Sequence, residues 1–117
     1  MKNLLKMVCL TATVISGSVY GGSGDGPKVA KEIVEAHSTD AYMVTFRAGE
    51  PASVVVIGDG DTDLDLRVYD ENGNLVASDL DSTDRCIVNW CPRWTGKFRI
   101  LVQNLGSVYN RYEIATN

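Results

Sequence analysis

The sequence predicts a small all-β sandwich of about eight antiparallel strands, and three observations carry that expectation. Tyr42, Val44 and Phe46 alternate with Met43, Thr45 and Arg47, and Phe98, Ile100 and Val102 with Arg99, Leu101 and Gln103; this period of two is the mark of strands with one face buried. Short β-rich runs are separated by turn residues at intervals of roughly 8 to 12, the spacing of a sandwich or barrel. The chain has 117 residues, 44% hydrophobic and 22% charged, which suits one globular core and no second one.

The first element is a targeting segment. Lys2 and Lys6 precede an apolar run over residues 7–15 and small residues over 16–22, the order of a cleaved secretory signal. The run is much shorter than the roughly 20 residues that span a bilayer, so a permanent anchor is the weaker reading. Cys9 lies before most of the apolar run, and Val8 is bulky for a lipoprotein attachment signal. Residues 1–21 are therefore expected to be removed, leaving a secreted or periplasmic protein that does not insert in a membrane. Their loss takes two basic residues and no acid, moving the net charge from −4 to −6. An acidic surface is unsuited to nucleic acid or to an anionic membrane. It suits a divalent cation.

Residues 22–30 read as a flexible leader, with four glycines over residues 21–26. The domain is expected over 31–117, with strands near residues 32–36, 41–47, 52–57, 64–69, 75–79, 85–90, 97–103 and 109–116. The first of these is the ambiguous one, since Val29, Ile33 and Ala36 also fit a short amphipathic helix. In the sixth, Cys86, Val88 and Trp90 share one face. Cys86 and Cys91 are candidates for a disulfide in an oxidising compartment. A continuous strand at about 3.3 Å per residue would hold them too far apart, so the bridge requires a reversal near Trp90; a buried free Cys86 is the alternative.

The stretch from Gly58 to Asp84 carries the most chemistry. Asp70-Glu71-Asn72-Gly73 has the composition of a type I turn ending in a left-handed glycine. Asp70 then faces Asn74, and counting back pairs Tyr69 with Leu75, Val68 with Val76, Leu66 with Ser78 and Leu64 with Leu80. That register buries Leu64, Leu66, Val68, Val76 and Leu80. It sets Asp65 opposite Asp79 and Asp63 opposite Asp81 on the other face, with Asp59, Asp61 and Asp84 at the adjoining ends. Opposed like charges destabilise a sheet. Calcium, which takes six to eight oxygens, would reverse the sign of that effect. Asp63, Asp65, Asp79 and Asp81, with Asp61 and Asp84, form the candidate calcium site. A solvated acidic edge beside Arg67 is the alternative, and a two-residue Asn72-Gly73 loop would shift the register by one. The spacing is not that of an EF-hand, which needs glycine where Leu64 stands.

Three segments together resemble the bacterial pre-peptidase C-terminal domain: Asp61-Thr62-Asp63-Leu64-Asp65-Leu66-Arg67-Val68-Tyr69-Asp70-Glu71-Asn72-Gly73, then residues 94–102 opening Trp94-Thr95-Gly96-Lys97-Phe98, then Asn110-Arg111-Tyr112-Glu113-Ile114. The resemblance runs from about Ser38 to Asn117. It implies a jelly-roll-like sandwich, usually appended to secreted hydrolases and not itself catalytic; some such domains bind calcium. Here the predicted signal leads almost directly into the domain, which departs from the role of a protease appendage.

An enzyme needs a nucleophile, a base and a group that orients them. His37 is the only histidine, and its neighbours Ser38, Thr39 and Asp40 are consecutive residues, suited to a turn and unable to converge on one atom. A hydrolase built on paired aspartates is a remote alternative. Trp90 is expected in the core. Trp94 is the candidate ligand-facing aromatic, and Arg93, Lys97, Arg99 and Arg111 a candidate basic patch. The expected function is a non-catalytic binding or accessory module for an extracellular protein or polysaccharide, with a metal-free structural envelope protein as its rival.

Overall fold

The computed structural model describes residues 26–117; the predicted signal peptide and the leader up to residue 25 lie outside the described residues. Eight strands follow in order: β1 (Lys28–Val34), β2 (Thr39–Phe46), β3 (Ala52–Ile57), β4 (Leu64–Tyr69), β5 (Leu75–Asp79), β6 (Arg85–Trp90), β7 (Gly96–Asn104) and β8 (Asn110–Thr116). They form two four-stranded sheets in the orders β1-β8-β3-β6 and β2-β7-β4-β5. All pairings are antiparallel. Only the β4–β5 hairpin stays within one sheet; every other connection crosses between the layers, which is jelly-roll topology. No described helix is long and apolar enough to cross a membrane.

Alternation along each strand sends one set of side chains between the sheets. Val54 and Val56 of β3, Leu64, Leu66 and Val68 of β4, Phe98, Ile100 and Val102 of β7, and Tyr112 and Ile114 of β8 fill the interior. Phe46, Trp90 and Phe98 close one end of it, with the Trp90 ring edge-on to Phe46 at 4.8 Å between centroids and tilted against Phe98 at 5.6 Å. Edge-on aromatic pairs of this kind add to the burial energy of the rings.

Two expectations about elements are corrected. β1 is a strand, as expected over the helical alternative, but it opens at Lys28, so residues 28–30 belong to the sheet and not to the leader. Its full length pairs with β8, from Lys28 with Thr116 to Val34 with Asn110, and these cross-strand bonds outweigh the short helical pattern. The β4–β5 register also differs. The turn is as expected: Gly73 has φ 82°, the Asp70 N–H donates to the Asn74 carbonyl, and Tyr69 faces Leu75. A β-bulge between Val68 and Tyr69 then inserts one residue on β5, pairing Val68 with Ala77, Arg67 with Ser78 and Leu66 with Asp79. A slip of one residue exchanges faces. Val76 and Leu80 are exposed, and Ala77 takes the place facing the core.

Candidate functional site

The bulge dismantles the expected carboxylate ladder. Asp79, placed opposite Leu66, turns its Oδ2 to accept from the Ile87 N–H at 3.0 Å. β6 is the outer strand of its sheet, so this N–H has no ladder partner on that side, and Asp79 blunts an edge that would otherwise invite another strand. Asp81 accepts from the Thr83 N–H and hydroxyl at 3.0 and 2.9 Å. Those bonds, the backbone one foremost, hold its carboxyl below the usual range.

Asp84 and Asp59 are committed to the loop between β3 and β4. Asp84 Oδ2 accepts from the Gly60 N–H at 2.6 Å and from the Asn110 amide at 3.0 Å. Asp59 accepts from the Asp61 N–H and, at 2.8 Å, from the Arg111 N–H. A Cβ on Gly58 would stand 2.2 Å from Asp84 Oδ2, so the approach requires glycine there. Asp61 is exposed. Two buried asparagines complete the frame. Asn110 donates to Thr62 Oγ1 at 3.0 Å and accepts from the Asp59 N–H. Asn104 donates to the Val34 and Val108 carbonyls and accepts from the Gly106 N–H. Sequence reading passed over both; their one signal is an amide at each end of the β7–β8 connection, where loop backbone needs partners.

What remains of the candidate metal site is Asp63 and Asp65. Asp65 is 6% exposed; its Oδ1 and that of Asp63 are buried and accept no hydrogen bond. Arg67 lies 3.7 Å from the other Asp65 oxygen and is itself held by Gln103 at 2.8 Å. Burial raises the carboxyl of Asp65 and the negative charge of Asp63 adds to it; burial raises Asp63, with Asp81 and Asp84 adding to it. As the side chains stand, no group of three or more His, Cys, Asp or Glu among the described residues is arranged to hold a metal ion. The two orphaned oxygens are of the hard, anionic type that calcium takes.

Cys86 is a free, buried thiol whose Sγ lies 3.2 Å from the Leu64 carbonyl, so the Cys86–Cys91 bridge is not formed. β6 runs unbroken from Arg85 to Trp90 and aims Cys86 into the core. Burial, with the nearby aspartates, pushes the thiol up to about 12, which leaves it unreactive at neutral pH. His37 is exposed in a turn with φ 54°, where the Ser38 hydroxyl bonds the Ala36 carbonyl, as expected of a turn. Asp40 instead accepts from the Tyr112 hydroxyl at 2.7 Å, and Tyr112 also bonds the Tyr42 hydroxyl. Trp94 is exposed, its indole N–H donating to Glu71 at 3.2 Å. The basic patch is split, since Lys97 and Arg99 lie on β7 and Arg111 on β8, in different sheets; Arg99 sits over Tyr69 and Arg111 over Tyr109.

No family model and no curated relative matches the chain. Among solved structures it is similar to the pre-peptidase C-terminal domain of collagenase from Bacillus anthracis, with TM-score 0.61 and 16% identity over 77% of this chain and 88% of that one. The fold is that of a pre-peptidase C-terminal domain. The same sandwich is similar to PliG of Aeromonas hydrophila, a periplasmic inhibitor of g-type lysozyme, at TM-score 0.57 and 13% identity over 83% and 87% of the two chains. It is also similar to the Yersinia pseudotuberculosis-derived mitogen, at TM-score 0.52 and 9% identity over 79% and 85%. At such identities the likeness is one of pre-peptidase-like architecture, and function must come from the side chains.

Proposed function

We propose that this chain is an exported, non-catalytic module that acts by binding an extracellular protein or polysaccharide, and that its acidic end is stabilised by calcium at Asp63 and Asp65. The observation that carries the calcium reading is the pair of buried carboxylate oxygens without hydrogen-bond partners. A buried anionic oxygen without a partner is costly, and a bound cation offsets that cost. Asp81 lies on the neighbouring exposed loop, its charge bears on both carboxylates, and it is the proposed third ligand. Asp59, Asp79 and Asp84 are left out of the proposed set because their oxygens already hold backbone; Asp81 Oδ1 also holds the Thr83 N–H, so its other oxygen is the one offered to the ion. A likeness in fold to a protease appendage and to an enzyme inhibitor supports action by association. Trp94, exposed and fixed by Glu71, is the proposed contact for a partner.

The test is thermal unfolding of the metal-stripped protein against calcium. A ligand at 100 times its dissociation constant stabilises the folded state by about 2.7 kcal/mol, which for a domain of this size raises Tm by roughly 10 °C or more. Asp65→Asn should abolish the response while leaving a folded protein. A Tm indifferent to calcium would leave the metal-free reading, which the hydrogen-bonded states of Asp59, Asp79 and Asp84 already favour for those three residues.

A further inference from the structure

The side of the sandwich away from the acidic end holds a cleft that the calcium reading does not use. β1 and β2 are outer strands of opposite sheets, and between them lies a space of about 400 Å³, within the range of small-molecule sites. The cause is in the sequence. The positions of β1 that point between the sheets are Lys28, Ala30, Glu32 and Val34, and only Val34 is a buried apolar residue of ordinary size. Facing them are Tyr42 and Val44, both only partly buried. The interior is underfilled there.

The lining is polarised. Ala30, Val44, Ile100 and Ile114 make an apolar wall. At one end Thr116 and Lys28 are register partners on neighbouring strands, which places their side chains side by side. Lys28 carries the one charge among the lining residues. Thr116 is 8% exposed, and its hydroxyl is buried without a hydrogen-bond partner. Tyr42 stands toward the other end, where Asp40 and Glu32 bring negative charge near it and Tyr112 fixes its hydroxyl. A buried hydroxyl lacking a partner is uncommon in a folded protein and calls for an explanation. A threonine and a lysine on paired positions at one end of an apolar slot match a carboxylate with a hydrocarbon tail, and Asp40 and Glu32 near the Tyr42 end disfavour the reverse orientation.

We propose that the cleft between β1 and β2 binds an acyl carboxylate, its tail against Ala30, Val44, Ile100 and Ile114 and its head at the Lys28 ammonium and the Thr116 hydroxyl. The proposal stands independently of calcium. It is tested on the full chain with decanoate, followed by calorimetry and by chemical-shift changes at Ala30, Val44 and Thr116. Decanoate should bind saturably below its aggregation concentration, and decanol, which has the same tail and no charge, at least about tenfold more weakly, a difference of about 1.4 kcal/mol. Lys28→Glu should remove the preference for decanoate over decanol. Thr116→Val should weaken decanoate while leaving the protein as stable or more so, which a purely structural role for the hydroxyl would not produce. Ala30→Leu should block the slot; if that variant is poorly folded, Val44→Phe serves the same purpose from the opposite strand. Absence of saturable binding would overturn the proposal, as would equal affinity for decanoate and decanol, or shifts confined to other parts of the molecule. Self-association lost in Ala30→Leu and Val44→Phe would overturn it in favour of a second copy covering this side.

Discussion

The two lateral sides of this sandwich are built from the same strand geometry and finished in opposite ways. On the β5–β6 side, Cys86, Val88 and Trp90 point inward as a graded apolar row, and Asp79 reaches across from the other sheet to hold the Ile87 N–H. On the β1–β2 side, Lys28, Ala30 and Glu32 take the corresponding inward positions, and a cleft remains. A jelly roll has two such seams wherever its outer strands face each other. Closure is therefore a property of a few side chains and not of the topology.

The closed side is the more sensitive to substitution. Trp90→Ala removes the ring that packs on Phe46 and Phe98 and should cost about 3–5 kcal/mol, read as a fall in the midpoint of urea unfolding with unchanged slope. Gly58→Ala forces a methyl group to within 2.2 Å of Asp84 Oδ2 and should cost roughly 1–3 kcal/mol; loss of the Gly60 and Asn110 amide signals from their native positions in an NMR spectrum would show that the loop, and not the core, gives way. Asp79→Ala leaves the Ile87 N–H unpaired and should cost about 1 kcal/mol. It should also speed aggregation through the uncovered edge, seen by light scattering. The open side should respond with the other sign: Thr116→Val, which removes an orphaned hydroxyl, is expected to be neutral or stabilising by up to about 1 kcal/mol.

The smallest effect belongs to the hairpin that joins β4 to β5. Asp70 accepts from the Asn74 and Asn72 N–H groups at 2.9 and 2.8 Å. Those bonds, that from the Asn74 backbone first, hold its carboxyl below the ordinary value. A carboxyl lowered on folding contributes stability above its unfolded value and loses it as the pH falls through the folded one. In acid titrations, unfolding of the natural protein should therefore show a dependence below the ordinary carboxylate range that is reduced in Asp70→Asn.

Strand positions were legible because each element announces itself locally, by period-two alternation and by bounding turn residues such as Asp70 and Gly73. Six of the eight strands lie within about one residue of their sequence-derived bounds, and β2 within two. The register of β5 was not legible. The Asp70–Gly73 turn fixes only the first pair, Tyr69 with Leu75, and the bulge beyond it depends on how the twisted hairpin meets β6. The expected cluster of six aspartates was lost for a related reason: the pattern of charges says where acids occur but not which already serve a backbone N–H. Asp79, Asp81 and Asp84 do, and the buried oxygens of Asp63 and Asp65 do not. Trp90 in the core and the turn at His37 were readable, being consequences of strand parity and of adjacency in the chain. The free Cys86 was one of two readings, and continuity of β6 decided it.

The pairing of Lys28 with Thr116 has a consequence beyond the cleft. Cross-strand partners have Cα atoms roughly 5 Å apart, so the backbone enters and leaves this fold through a single doorway. A polypeptide looping out of some larger protein could carry the whole sandwich as an insert without stretching, and new ends cut at the exposed tip near Asn72 would leave a permuted chain with the same walls.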